Sequence, residues 1–369
     1  MIKRLIFLIT ALPLLFLLSG CEDNSGEVKL VKAWENADDL QAADRDAASD
    51  FLSEAALVGM VTDVGGIDDQ SFNQSAWEGL QGLSENGLAR VTYRESASEE
   101  DFAENFKSLA DEGCTLCWGI GFSCADALEE AAKANPGINY AIIDSAFEAP
   151  AENMTSVVFR AEEPSFIVGF IAGASTDTGR LGFVGGVSGE IIDQFEYGFR
   201  AGVEYASKVY GRHIDVSVEY ADSFTDEDKG YALASKMYDS GCDIIYAAAG
   251  ATGLGVIDSA KGRNRYVIGV DRDQSYLAPD NILTSAMKLV NVAVTRVSES
   301  YLSGDDIGGD NISFGLTEGA VGIPEEHPNF SDEIYDEALK IADSIKSGEI
   351  DPPASEEEYA GFIKNLENR

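Results

Sequence analysis

Three aspartates stand at the ends of short apolar runs: Asp63 after Val58–Thr62, Asp144 after Tyr140–Ile143 and Asp271 after Val267–Val270. A carboxylate so placed either caps the next helix or accepts charge-assisted hydrogen bonds from the hydroxyl, amino or imino groups of a bound molecule. Lys288, closing the run Thr284-Ser285-Ala286-Met287-Lys288, can balance such a carboxylate and donate to the same molecule. Asn73 carries an amide that can serve either as donor or as acceptor. Phe72, Phe122, Phe195 and Tyr246 offer flat apolar faces near the same points, although Phe72 also opens an amphipathic helix, where periodicity alone favours a core role. Gly121 and Gly250 follow apolar runs and let the backbone approach a ligand closely.

Other chemistries fit less well. Gly250, Gly253 and Gly255 follow an apolar run, and Asp271 ends the next, as in a dinucleotide-binding fingerprint. The spacing is G-x-x-G-x-G and not G-x-G-x-x-G, so the pyrophosphate turn is wrong and a nucleotide-dependent oxidoreductase is the weaker alternative. Cys114 and Cys117 form a lone C-x-x-C followed by Cys124, while the only histidines are His213 and His327, which does not make a zinc site. The pair lies in an apolar run that reads as a strand, so the cysteines, with Cys242, are expected to be buried thiols, a disulfide being the alternative. No activated nucleophile or base stands out, so the expectation is a binding protein without cofactor or metal and not an enzyme.

The elements that must position these residues come from an internal duplication. Val58-Gly59-Met60-Val61-Thr62-Asp63-Val64-Gly65-Gly66 matches Leu181-Gly182-Phe183-Val184-Gly185-Gly186. Asp111–Gly119 matches Asp239–Ala247, and Tyr140–Asp144 matches Val267–Asp271. Each apolar run is short and has no polar face, as in a strand buried in a parallel sheet, and helical segments alternate with the runs. Two doubly wound α/β lobes follow, with the aspartates at the carboxyl ends of strands, where ligands of such sheets bind. The tail adds a helix around Val290–Leu302, assigned to the first lobe, and a strand near Ile312–Leu316 and a helix around Ser331–Ser347, assigned to the second. The chain would cross between lobes three times, near 157, 283 and 313, making a three-strand hinge between a first lobe of 51–157 plus 283–313 and a second of 158–282 plus 314–369.

The ends and the charge set the compartment. Met1-Ile2-Lys3-Arg4, an apolar run from Leu5 to Leu18 and Ser19-Gly20-Cys21 describe an export signal over residues 1–20, too short for a stable span. Leu18-Ser19-Gly20-Cys21 resembles the bacterial lipobox, which implies lipidation of Cys21 and anchoring at the periplasmic or extracellular face of a membrane. Residues 21–50 are polar and small and read as a flexible tether. With 26 basic against 65 acidic residues the formal charge is −39, spread along the chain, which repels nucleic acid and anionic lipid surfaces.

Thr62-Asp63-Val64-Gly65-Gly66-Ile67-Asp68-Asp69-Gln70-Ser71-Phe72-Asn73-Gln74 with Gly79 resembles the opening motif of the basic membrane protein family of ABC-transporter lipoproteins, several of which bind purine nucleosides. The resemblance continues through Gly119–Phe122, Ala248–Val256, Gly269–Gln274 and Thr284–Lys288, and covers roughly 56–325. It implies a type I periplasmic-binding-protein-like fold, a purine nucleoside between the lobes, ABC permease subunits as partners, and a monomer. In that pattern Phe72 takes one face of the base and Tyr246 the other, with Phe122 and Phe195 as alternative stackers. Asp271 accepts from the ribose hydroxyls with Lys288 beside it, and Asp63, Asn73 and Asp144 serve base or sugar. The chain departs from some relatives in having Val64 where they carry Asn. A sugar or a signalling molecule on the same fold is the alternative ligand.

Overall fold

The computed structural model describes residues 55–368. The expected leader over 1–20, the expected lipidation site Cys21, the expected tether over 21–50 and residues 51–54 lie outside the described residues. The twelve strands are β1 Leu57–Val61, β2 Arg90–Arg94, β3 Leu116–Ile120, β4 Asn139–Ile143, β5 Met154–Phe159, β6 Arg180–Gly185, β7 Asp215–Tyr220, β8 Ile244–Ala248, β9 Tyr266–Asp271, β10 Ile282–Lys288, β11 Asp310–Phe314 and β12 Val321–Gly322. The helices used below are α1 Phe72–Glu85, α2 Phe102–Glu112, α3 Ala125–Ala134, α4 Glu162–Ser175, α5 Glu190–Tyr210, α6 Glu227–Asp239, α7 Thr252–Arg263, α8 Val290–Leu302, α9 Asp332–Lys346 and α10 Glu356–Glu367.

Two six-stranded sheets form, in the orders β11-β5-β4-β3-β1-β2 and β12-β10-β9-β8-β6-β7. All pairings are parallel except that of β10 with the two-residue β12. β1, β3 and β8 are buried at every residue, which is what apolar runs without a polar face require when helices cover both sides of a sheet. The strand orders place β1 with β3 and β6 with β8 at matching points of the two lobes, as the duplication requires.

Two tail elements differ from expectation. β10 pairs with β9, past an irregularity between Ile282 and Thr284, up to Met287 opposite Asp271, so residues 282–288 belong to the second sheet and the chain returns to the first lobe only after Lys288. The strand expected in the second lobe is β11, which pairs with β5 at the edge of the first sheet. Its alternation is that of any half-exposed edge strand, and such a pattern carries no information about which edge it joins. The three crossings therefore fall after Phe159, after Lys288 and after Phe314. α10 was not anticipated; its acidic first turn and its Ser355 cap, accepting from the Glu358 N–H, start it.

Close helix packing holds the second lobe. The α4 segment Glu163–Gly173 is buried throughout. A Cβ on Gly202 of α5 would lie 2.0 Å from the Phe166 carbonyl oxygen, and one on Gly169 of α4 would lie 2.2 Å from that of Phe199. Only glycine permits this approach of backbone to backbone. Cys114, Cys117, Cys124 and Cys242 are free and buried thiols. Among the described residues no helix is long and apolar enough to cross a membrane.

Candidate ligand-binding cleft between the lobes

The carboxyl ends of β1, β3 and β4 face those of β8, β9 and β10 across a cavity of about 370 Å³. All the expected site residues except Tyr246 line it: Asp63, Phe72, Asn73, Phe122 and Asp144 from the first lobe, and Phe195, Gly250, Asp271 and Lys288 from the second. The volume suits a small solute of nucleoside or sugar size.

Asp144 and Asp271, at duplicated positions after β4 and at the end of β9, both adopt the left-handed backbone region, with φ of 62° and 65°. Such conformations are costly outside glycine, and aspartate tolerates them better than most residues. Both carboxylates are buried. Asp144 takes an ion pair from the Lys288 ammonium, joining the lobes in the depth of the cleft. The same ammonium lies 4.7 Å from the Phe72 ring centre and 5.6 Å from that of Phe195. Asp271 accepts the Ser71 hydroxyl of the other lobe.

Asp63 is held from its own lobe. Its Oδ1 accepts the Gly65 N–H at 2.8 Å and the Asn73 side-chain N–H at 2.7 Å. The second Asn73 donor goes to Asp69 at 3.0 Å, and its carbonyl accepts from the Asp63 N–H at 3.3 Å. Asn73 thus engages its amide with Asp63 and Asp69 while it lines the cavity. Asp69 also accepts the backbone N–H groups of Ser71, Asn73 and Gln74, which starts α1. Burial pushes the Asp63 carboxyl up to about 6, against the lowering effect of the Gly65 and Asn73 donors and with Asp69 and Asp144 adding repulsion. Burial likewise pushes Asp271 up to about 6, opposed by Lys288 and by the Ser71 hydroxyl.

The aromatic faces come from both lobes, though not as expected. Tyr246 is fully buried, its ring centre 5.5 Å from that of Phe183 and 5.2 Å from that of Phe199, with its hydroxyl 3.2 Å from the Ser165 hydroxyl. β8 runs on to Ala248, so Tyr246 sits in mid-strand and its side chain points into the helix layer. Phe224, in the loop after β7, lines the cavity instead; its ring covers Gly186, where a Cβ would come within 2.2 Å. Its signal in the sequence was an aromatic among Asp222, Ser223 and Thr225 in a loop leaving the carboxyl end of a strand. Val64, Phe122 and Val187 are exposed large apolar residues that line the same cavity. A Cβ on Gly121, whose φ is 104°, would lie 3.4 Å from Asp63 Oδ2 and 3.5 Å from the Phe72 ring, so glycine keeps this side open.

Residues 56–356 match the family model Bmp, described as ABC transporter substrate-binding protein PnrA-like. The chain is 39% identical to a CD4+ T-cell-stimulating antigen of Listeria innocua serovar 6a, over 86% of this chain and 92% of that protein. It is also 39% identical to basic membrane protein A of Borreliella burgdorferi, over 85% of this chain and 92% of that protein. Among solved structures, an ABC transporter system solute-binding protein from Aeropyrum pernix K1 is similar at a TM-score of 0.76 and 25% identity, covering 85% of this chain and 98% of that one. The two-lobed architecture is that of the type I periplasmic binding proteins, and the chain belongs to the Bmp family of ABC transporter substrate-binding proteins.

Proposed function

We propose that this protein is the lipid-anchored receptor of an ABC importer for purine nucleosides, that it holds the nucleoside in the cleft between its lobes, and that it passes it unchanged to the permease. The observation that supports this reading most is the meeting, in one cavity, of aromatic rings and carboxylates from both lobes: Phe72, Asp63 and Asp144 from one, Phe195, Phe224 and Asp271 from the other. A purine offers two π faces for the rings, and the ribose and the base edge offer hydroxyl and N–H donors for the carboxylates. In this reading Phe224 replaces Tyr246 as the aromatic of the second lobe.

Ligand that bridges the lobes favours their closed arrangement, which the permease reads. The test is to purify the protein without denaturation and identify what it retains by mass spectrometry, followed by thermal shifts with nucleosides and with monosaccharides. A nucleoside at a hundred times its Kd should stabilise by about 2.7 kcal/mol. Stabilisation by monosaccharides alone would replace the nucleoside with a sugar as the ligand.

A further inference from the structure

The turn Asp69–Phe72 reaches both lobes. Asp69 fixes Asn73, and Asn73 fixes Asp63, all within the first lobe. The next two residues turn to the second lobe. The Gln70 carbonyl accepts from the Gln274 side chain at 3.1 Å, and its side-chain oxygen accepts the Tyr276 hydroxyl at 2.6 Å. Gln70 adopts a left-handed backbone, φ 55°, which sets it apart from the helix that follows. The Ser71 hydroxyl, fully buried, donates to Asp271 Oδ2. About two helical turns further on, Glu78 lies 3.0 Å from Arg272, the neighbour of Asp271.

Asp271 has little other support. It lines the cavity, and the charged groups around it are Lys288, already paired with Asp144, and the carboxylates Asp69 and Asp144. A buried carboxylate without a fixed donor has no fixed orientation and a cost of desolvation that favours its neutral form. The Ser71 hydroxyl supplies both the orientation and a donor to the charged form. It belongs to the other lobe, so that support exists only when the lobes are shut.

We propose that Ser71 is a positioning residue that completes the Asp271 hydroxyl-binding site from the opposite lobe, so that the hydroxyl pair of the ligand is read at closure and not at first encounter. The assignment of Asp271 to a sugar hydroxyl pair rests on the nucleoside reading above; the contact between Ser71 and Asp271 does not.

Two measurements test this on the full chain. In the first, with a ribonucleoside at saturation holding the lobes shut, the Asp271 carboxyl is followed by carbon NMR against pH, with Asp271→Asn identifying its signal. Ser71→Ala should move its titration to higher pH, and Ser71→Thr, which keeps the hydroxyl, should restore it. An unmoved titration overturns the inference. In the second, calorimetry compares a ribonucleoside with its 2′-deoxy form. Ser71→Ala should weaken the ribonucleoside about tenfold and the deoxy form less, closing the gap between them, with Ser71→Thr again restoring it. Equal weakening of both would mark Ser71 as a general packing residue and sink the role in hydroxyl reading. Wild-type protein that binds neither nucleoside defeats the proposed function, and the hydroxyl reading with it, whereas wild-type binding with an unmoved titration defeats the role of Ser71 alone.

Discussion

At the scale of single residues, the cleft trades stability for binding. Asp271 has its carboxyl raised from 3.8 to about 6. Between those values the folded chain keeps a proton that the unfolded chain has released, so this group's contribution to stability is full below about 4 and is lost as pH rises through about 6. Asp271→Asn should therefore stabilise the ligand-free protein at neutral pH, by on the order of 1–3 kcal/mol, and make little difference near pH 4. Denaturant titrations of both proteins at the two pH values check this. The same variant should lose most affinity, and wild-type affinity should fall as pH drops below about 6, where the acceptor becomes protonated. Phe72→Ala should cost on the order of 1–3 kcal/mol of nucleoside binding, the scale of base–aromatic stacking, measured by calorimetry. A variant Tyr246→Phe, by contrast, should leave binding unchanged, since that ring lies in the core with Phe183 and Phe199.

At the scale of elements, the fit of α4 against α5 depends on two positions without side chains. Gly202→Ala places a methyl 2.0 Å from the Phe166 carbonyl oxygen, so the helices must part. A loss of more than about 3 kcal/mol in a denaturant titration is expected, at the severe end of overpacking. Much of this level could be read from residue order. The duplication located the strands, their apolar character showed burial on both faces, and the strand ends located Asp63, Asp144 and Asp271. What could not be read were facts that depend on pairing partners. Periodicity says that Asp310–Phe314 is an edge strand but not whose edge, and it does not say that β10 extends β9's sheet up to Lys288. The register error at Tyr246 is of the same kind: two residues decide whether a ring faces the ligand or the core. Phe224 escaped because an aromatic in a loop has no period to betray its direction.

At the scale of the whole molecule, charge and connectivity dominate. A formal charge of −39 makes the folded chain repel itself. Raising sodium chloride from about 0.1 M to 1 M shortens the screening length from about 10 Å to about 3 Å, so the thermal midpoint should rise. A fall would mean that the surface ion pairs outweigh the repulsion. Connectivity matters through the three crossings, after Phe159, Lys288 and Phe314, which tie the lobes by three segments of chain.

The duplication placed an acid at the tip of each sheet, but it placed only one cation, Lys288, among the described residues lining the cavity, and Asp144 already claims it. With Asp63, Asp69, Asp271, Glu99 and Asp222 also on the walls, the chamber is electronegative throughout. A phosphorylated solute would be turned away by its own charge, so on the nucleoside reading proposed above a nucleotide would have to lose its phosphate before this cleft could hold it. Binding assays with a nucleoside and its 5′-monophosphate would show whether the walls act as such a filter.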